Sequence, residues 1–193
     1  PLRLTMTMSP PLCEMLSDPL LKDRYRRHTE ALLETVRRER GRMDARFRPV
    51  MDSYERLFAE SLAYFTGNDL VAAYRRIQET GSLEIVTCGA THGFLPFVLD
   101  PRPQIRAAKA NYRKNFGRDP RGIWLPECAY APGVDGALAQ EGIGYFFMDA
   151  HGVLNGSRVP KYGVHAPVRT PAGPAVFARD FETSKQVWSS KEG

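Results

Sequence analysis

The chain has 193 residues, of which 42% are hydrophobic and 25% are charged, and its formal net charge is +5. This composition is that of an ordinary globular domain and argues against long disordered segments and coiled-coil rods. The longest apolar stretches, Gly93–Leu99 and Ile143–Met148, fall far short of the roughly 20 residues that a membrane-spanning helix needs. The sequence therefore predicts a folded domain without a membrane partner.

The three cysteines, Cys13, Cys88 and Cys128, are far apart in the chain and include no Cys-x-x-Cys pair. Such spacing encodes neither a disulfide framework nor a zinc site, and its simplest interpretation is a reducing, cytoplasmic setting. The chain opens on Pro1 without a signal-like segment and closes on a polar stretch, so we interpret both termini as cuts within a longer protein.

The positive charge is concentrated between Lys22 and Arg48, where ten Lys or Arg residues stand against five Asp or Glu residues. The acidic residues are interleaved with the basic ones at helical spacings, as in Glu30, Glu34 and Arg37. This pattern is typical of a solvent-exposed helix face, and no nucleic-acid-binding motif accompanies it. We therefore expect no nucleic-acid partner.

A strand followed by helices is predicted for the first part of the chain. Apolar residues alternate over Pro1–Met8, which predicts a strand that ends at the two prolines after Ser9. Apolar residues at helical intervals then predict three helices, over Asp18–Gly41, Phe47–Gly67 and Leu70–Thr80. These helices form a predicted insertion of about residues 18–80 after the first strand.

Strands and helices alternate along the rest of the chain. Short apolar segments predict strands, and amphipathic segments between them predict helices. The predicted strands are Leu83–Cys88, Gly122–Leu125, Ile143–Met148, Tyr162–Arg169 and Ala175–Arg179, and the predicted helices are Arg102–Phe116 and Val134–Gln140. This alternation predicts an α/β fold whose parallel sheet is covered on both faces, either open or closed into a barrel.

Polar residues follow the predicted strands at the point where each strand ends. His92 comes after Leu83–Cys88, Glu127 after the next strand, Asp149 and His151 after the third, and Arg179-Asp180 after the last. Because the carboxyl ends of parallel strands lie on one face of the sheet, where ligands bind, we expect these residues to converge on one site.

The signatures of several other chemistries are missing from the sequence. It contains no G-x-S-x-G elbow, no phosphate-binding G-x-x-x-x-G-K and no G-x-G-x-x-G after a strand. The four histidines lack the spacing of a metal site, so we expect neither a metal nor a cofactor. The sequence does contain carboxylates beside aromatic residues. This combination suits carbohydrates, because aromatic faces pack on sugar rings and acids perform glycosyl chemistry.

Two segments carry a resemblance to a known family. Gly81–Gly93 and Gly122–Tyr130, in which Glu127 directly follows a strand, look like the second and third signature motifs of glycoside hydrolase family 57. The chain resembles that family over nearly its whole length. Three further segments look like the 1,4-α-glucan branching enzymes within the family: Met8–Leu16, Asp149–Gly152 and Ser184–Ser189.

The resemblance implies an incomplete, distorted (β/α)7 barrel that acts on α-glucan (amylose, amylopectin or glycogen) without a metal. It identifies Glu127 as the nucleophile of a retaining mechanism. The glycosyl-enzyme would be intercepted by the 6-hydroxyl of another glucan chain, which creates an α-1,6 branch. Alternatives are the 4-α-glucanotransferase and α-amylase activities of the same family and, more remotely, a metal-dependent carbohydrate deacetylase or a non-catalytic glucan-binding module.

The sequence also departs from the family pattern. The resemblance implies that the first motif precedes Pro1 and that the fourth, which carries the Asp general acid, follows Gly193. A retaining pair needs carboxyl groups roughly 5–5.5 Å apart, and none of Glu84, Asp149 or Asp180 matches the acid motif. We therefore expect residues 1–193 to be a partial catalytic domain, cut at both ends and inactive alone.

Further candidates for substrate binding each have a structural interpretation beside the functional one. They are His92, Glu84, Trp124, Asp149, His151 and Trp188. His92 alternatively packs in the core, Glu84 holds other site groups, and Trp124 belongs to the core. Asp149 and His151 alternatively cap the next segment. Trp188 lies in a polar stretch that fits a mobile loop over the site, and its structural interpretation is exposure at a cut end of the chain.

Overall fold

The computed structural model of the chain describes residues 2–189 and 191. These residues divide into two compact units, one formed by the residues up to Leu12 and from Ile77 onward, the other by Cys13–Arg76. The candidate site residues all belong to the first unit.

The second unit is helical. Its long helices are α2 (Pro19–Arg40) and α3 (Arg48–Gly67), which lie between α1 (Pro10–Ser17) and α4 (Leu70–Glu79) in the chain. Asp18 caps α2, since its side chain accepts a hydrogen bond of 2.8 Å from the Leu21 amide. Helices α2 and α3 pack against each other, and an ion pair between Arg37 and Glu55 joins them at 2.9 Å. The helices predicted over Asp18–Gly41, Phe47–Gly67 and Leu70–Thr80 thus correspond to α2, α3 and α4.

The first unit is built on a six-stranded sheet. The strands are β1 (Leu4–Thr7), β2 (Leu83–Cys88), β3 (Gly122–Trp124), β4 (Tyr145–Asp149), β5 (Val168–Arg169) and β6 (Ala175–Arg179), in the spatial order β1-β2-β3-β4-β6-β5. Neighbouring strands are parallel except β5 and β6, which are antiparallel. The structure confirms a mixed α/β fold with helices α5 (Arg102–Phe116), α6 (Val134–Gln140), α7 (Ala150–Leu154) and α8 (Phe181–Trp188).

The two faces of the sheet differ in burial. Ile123, Phe146 and Val176 lie side by side in register on one face and are buried in the core, together with Ile105 of α5 and Leu138 of α6. Burying one such side chain stabilises the fold by about 1.5–3 kcal/mol. On the opposite face, the ring of the half-buried Trp124 lies 5.7 Å from that of Phe147, and the Phe147 ring lies 5.8 Å from that of Phe177.

The predicted strand over Tyr162–Arg169 is wrong over most of its length. Only Val168–Arg169 forms a strand, because Gly163 adopts a left-handed conformation (φ 56°) and its amide donates to the Pro160 carbonyl in a turn. The predicted strand over Ile143–Met148 begins two residues later, at Tyr145, since the Ile143 amide still donates to the Leu138 carbonyl of α6.

The loop predicted around Trp188 is also wrong, since this segment forms α8. The side chain of Asp180 caps the helix by accepting a hydrogen bond of 2.7 Å from the Thr183 amide. Hydrogen bonds from the Thr183 hydroxyl and amide lower the pKa of Asp180. Trp188 is the last residue of α8, and it is 83% exposed.

Among the described residues, no helix has the combination of length and apolar character that crossing a membrane takes.

Gly122 tests the packing of the half-buried sheet face. A β-carbon at this position would overlap the Tyr145 ring, so we expect Gly122→Ala to lower the free energy of unfolding by about 1–3 kcal/mol. At Gly136, inside α6, an added β-carbon meets no atom within 4 Å. Gly136→Ala is therefore the matched control, and denaturant titration should show that it stabilises by about 0.5–1 kcal/mol. Equal effects of the two substitutions would contradict this packing.

Candidate active site

The turns that follow β2 and β3 lie side by side at the carboxyl end of the sheet. Gly89 follows β2, and a β-carbon there would come within 3.3 Å of the Pro126 ring, so the missing side chain leaves room for the buried proline. The His92 amide donates to the Gly89 carbonyl in the first turn. In the second, the Cys128 amide donates to the Leu125 carbonyl at 2.8 Å. The two turns therefore hold His92 and Glu127 next to each other.

Three non-glycine residues of these turns adopt left-handed backbone conformations. The φ angles are 56° for His92, 57° for Glu127 and 52° for Cys128, and among the described residues no other non-glycine residue has a positive φ. Such conformations cost of order 1–3 kcal/mol each, and they cluster at active sites. The clustering of three such residues in these two turns indicates a functional site independently of any sequence motif.

The Glu127 carboxylate points into solvent and contacts His92. His92 Nε2 lies 3.2 Å from Glu127 Oε1, and the side chains are 47% and 73% exposed, respectively. The acid is thus accessible to a ligand while a ring nitrogen holds one of its two oxygens. The structure therefore brings together two of the residues that the sequence nominates for the site.

Two buried thiols lie next to this pair. Cys88 Sγ is 3.2 Å from His92 Nδ1, and Cys128 follows Glu127 in the chain. Burial raises the pKa of each thiol to about 11. Because the thiolate is the nucleophilic form of cysteine, neither side chain is an activated nucleophile.

A second charged pair stands at the carboxyl ends of β4 and β6. Asp149 and Arg179 are register partners, and Arg179 Nη2 lies 2.7 Å from Asp149 Oδ1. Both charges also act on the Cys128 thiol, where Arg179 lowers and Asp149 raises its pKa, each less than burial does. The pair therefore lies close to the turn that carries Glu127.

A cavity of about 450 Å³ opens at this pair. Its lining includes Asp149, His151, Arg179 and the exposed ring of Phe181. This volume lies within the roughly 300–1,000 Å³ of small-molecule sites, and the lining offers polar groups beside an aromatic face. The structure thus places Asp149 and His151, both nominated from the sequence, at one cavity, whose lining does not include His92 or Glu127.

Trp124 lies on the half-buried face of the sheet. It is the register partner of Cys88 on β2 and of Phe147 on β4, so its ring begins an aromatic surface that continues across the neighbouring strands. This surface lies on the same face as Cys88 and Asp149, because register partners in parallel strands point to the same side. An aromatic surface of this kind offers ring faces on which the apolar face of a sugar ring can pack.

Glu84 lies at the other end of the sheet from Glu127. It is the second residue of β2, and its carboxylate accepts hydrogen bonds from Arg121 Nε at 3.0 Å and from the Tyr145 hydroxyl at 3.2 Å. Burial, followed by the nearby Glu84 carboxylate, raises the pKa of the Tyr145 hydroxyl. The structure therefore places Glu84 in a cluster with Arg121 and Tyr145 and brings it neither to Glu127 nor to His92.

Trp188 is placed by the structure at the end of α8, and Phe181 of the same helix lines the cavity instead. Sequence reasoning missed Phe181, because it treated the segment as a loop. The Asp-x-x-Thr pattern at Asp180 and Thr183 is a helix-start signal that would have predicted α8. Sequence reasoning also treated Cys88 only as the end of a strand.

Metal ligands do not gather in the described part of the chain: no group of three or more His, Cys, Asp or Glu side chains there is arranged to hold a metal ion.

The Glu84 cluster can be tested by a double-mutant cycle. Glu84→Gln and Arg121→Met, made singly and together, should give a coupling energy of about 1 kcal/mol in chemical denaturation. We expect this small value because the Arg121 side chain is 69% exposed and solvent screens the pair. A coupling energy of zero would show that the ion pair does not hold this end of the sheet.

Comparison with known proteins identifies the family to which this architecture belongs. The model of glycosyl hydrolase family 57 matches residues 5–188. The α-amylase AmyC from Thermotoga maritima is 42% identical, and its structure superposes with a TM-score of 0.92 over 100% of this chain and 39% of its own. The GH57-type branching enzyme from Pyrococcus horikoshii is 32% identical, with a TM-score of 0.89 over 97% of this chain and 39% of its own.

A 1,4-alpha-glucan branching enzyme from Thermococcus kodakarensis is 31% identical over 98% of this chain and 33% of that protein. The chain thus spans between a third and two fifths of the length of these relatives. The family match extends across both units and includes the turns that carry His92 and Glu127. The chain belongs to glycosyl hydrolase family 57.

Proposed function

We propose that this chain is part of an enzyme that transfers segments of α-1,4-glucan and forms α-1,6 branches with retention of configuration. The observation that carries the proposal is the Glu127 carboxylate, which is exposed beyond a parallel strand and held through one oxygen by His92. Two relatives whose names describe branching enzymes support the choice of reaction.

In the first step, the free carboxylate oxygen of Glu127 attacks the anomeric carbon of a glucosyl unit in the donor chain. The new ester bond forms as the bond from the anomeric carbon to O4 of the departing chain breaks, and a general acid gives that oxygen a proton. The His92 contact on Oε1 leaves the other oxygen of the carboxylate free for this attack.

In the second step, the 6-hydroxyl of an acceptor glucan attacks the same carbon. A base takes the hydroxyl proton, the bond to Glu127 breaks, and the carboxylate is restored. Two inversions give net retention. Water in place of the sugar hydroxyl gives hydrolysis, so branching depends on acceptor binding and on water exclusion. The aromatic surface from Trp124 to Phe177 offers sugar-binding area on the relevant sheet face.

The general acid of this proposal lies outside the 193 residues. Among the described carboxylates near the site, Asp149 is engaged in an ion pair with Arg179, and Asp180 caps α8 with a lowered pKa. A general acid has to carry a proton at the working pH, and the lowered pKa of Asp180 disfavours that form, while the Asp149 carboxylate is occupied by Arg179. We accordingly propose that residues 1–193 are a partial catalytic domain and are inactive alone.

The sheet is, in this proposal, part of a distorted (β/α)7 barrel, and the helical unit is its insertion after the first strand. Five strands run parallel from β1 to β6, and their carboxyl ends carry the site, as in other barrel enzymes. The half-buried aromatic face of the sheet would then line the barrel interior.

Hydrolysis of α-glucan is the second candidate. The observation that favours it is the likeness to AmyC, whose name describes an α-amylase and which is 42% identical to this chain over the 39% of its length that aligns. The nucleophile and the first step are the same for both activities, so only the acceptor differs. Both candidates predict an α-glucan partner.

Glu127→Gln tests the nucleophile in the whole protein. The amide keeps the shape of the side chain but cannot form the ester, so we expect kcat/KM on amylose to fall at least about 10³-fold. Glu60→Gln, on the exposed face of α3, is the matched control and should leave activity unchanged.

The products distinguish the candidates. New α-1,6 linkages indicate branching, longer linear chains indicate disproportionation, and reducing sugar alone indicates hydrolysis. Activity of Glu127→Gln equal to that of the control would contradict the proposal.

Phe181→Ala tests the cavity beside Asp149. Loss of the exposed ring removes one face for a sugar, so we expect KM for glucan to rise about three- to tenfold while kcat changes little. Phe47→Ala, an exposed aromatic position in the helical unit, is the control. Equal KM values for Phe181→Ala and the unaltered enzyme would show that glucan does not use this cavity.

A further inference from the structure

Three side chains form a continuous row from the core to the site. Cys88 Sγ lies 3.2 Å from His92 Nδ1, and His92 Nε2 lies 3.2 Å from Glu127 Oε1. The thiol is completely buried at the end of β2, the imidazole is half-exposed, and the carboxylate projects into solvent. The row therefore connects a buried atom of the sheet with an exposed carboxylate.

The chemistry of the row determines where its protons lie. An ionised carboxylate only accepts hydrogen bonds, so the hydrogen bond between His92 and Glu127 forms in the tautomer that carries its proton on Nε2. In a neutral imidazole, Nδ1 is then the unprotonated nitrogen and needs a donor. The nearest polar atom there is the sulfur of Cys88, and burial raises the pKa of this thiol to about 11, so it keeps its proton.

The backbone of the turn places the imidazole beside the thiol. The turn from Gly89 to His92 holds the ring over the thiol, since the His92 amide donates to the Gly89 carbonyl at 3.0 Å.

We propose that Cys88 is a positioning residue for Glu127: its thiol donates to His92 Nδ1, selects the Nε2–H tautomer, and so fixes the carboxylate for attack. The inference deepens the proposed function and rests on Glu127 as the nucleophile. In this arrangement the Cys88 thiol determines which nitrogen of His92 carries the proton. In other proteins, groups that hydrogen-bond the second ring nitrogen of a functional histidine have the same effect.

Two substitutions at Cys88 separate positioning from packing. Cys88→Ser keeps a hydrogen-bond donor, whereas Cys88→Ala removes it, and both side chains are smaller than cysteine. The carbon-13 and nitrogen-15 shifts of the His92 ring in the whole protein report the tautomer directly, with His92→Asn identifying its signals. We expect the Nε2–H form in the unaltered protein and in Cys88→Ser, and a substantial population of the Nδ1–H form in Cys88→Ala.

Activity supplies the second readout. Cys88→Ala should lower kcat about fivefold at an almost unchanged KM, the effect of losing one hydrogen bond that orients the reacting group, and Cys88→Ser should recover most of it. An unchanged tautomer in Cys88→Ala, or equal losses of kcat in the two variants, would overturn the proposal.

The tautomer measurement also separates this inference from the proposed function. If Glu127→Gln were fully active, Glu127 would not be the nucleophile, yet the His92 ring shifts expected for the Cys88 variants could still be observed. If the ring shifts were the same in all Cys88 variants and Glu127→Gln were inactive, only the proposed role of the thiol would be contradicted.

Discussion

The contact between His92 and Glu127 is the constraint on which the site depends. Both residues adopt left-handed conformations that L-amino acids disfavour, and they meet through Nε2 and Oε1 across the gap between two turns. The cost of that backbone geometry is offset by the packed sheet beneath it, where neighbouring strands are in parallel register and Pro126 fits against Gly89. The packed core thus stabilises the strained backbone of the candidate site.

The fold provides a graded environment around this contact. Below it lie buried thiols whose pKa values are raised by burial, and above it the carboxylate is in solvent. The Asp149–Arg179 pair extends the polar rim towards a cavity, while the aromatic face of the sheet offers apolar area. This combination suits the glycosyl chemistry proposed above, because a sugar has polar edges and apolar faces and its transfer needs a fixed carboxylate.

The sequence predicts much of this arrangement, for reasons that are local. The strand Leu83–Cys88 and the helix Arg102–Phe116 occur with the predicted bounds, because a buried strand and an amphipathic helix carry periodic apolar patterns. The polar residues after the strands lie in the structure at the carboxyl end of the sheet, where the candidate site is located. The strand predicted over Tyr162–Arg169 was wrong, because a left-handed turn at Gly163 outweighs the β-propensity of its neighbours.

Other features depend on tertiary geometry that a pattern does not contain. Glu84 belongs to a cluster with Arg121 and Tyr145, residues that come together only when β2, β3 and β4 are aligned. The position of Cys88 under His92 likewise follows from the turn, since a spacing of four residues alone does not bring a strand-end thiol to a ring nitrogen. These contacts distinguish the nominated residues that lie at the candidate site from those that connect strands of the sheet.

The most direct test of the account is to trap the covalent intermediate in the whole protein. A slow fluorinated α-glucosyl donor should leave one glycosyl group on the enzyme, and peptide mass spectrometry should locate it on Glu127. We expect the label in the peptide that contains Leu125-Pro126-Glu127, with none in the Glu127→Gln variant. A label on another carboxylate, with Glu127 unmodified, would contradict the central claim.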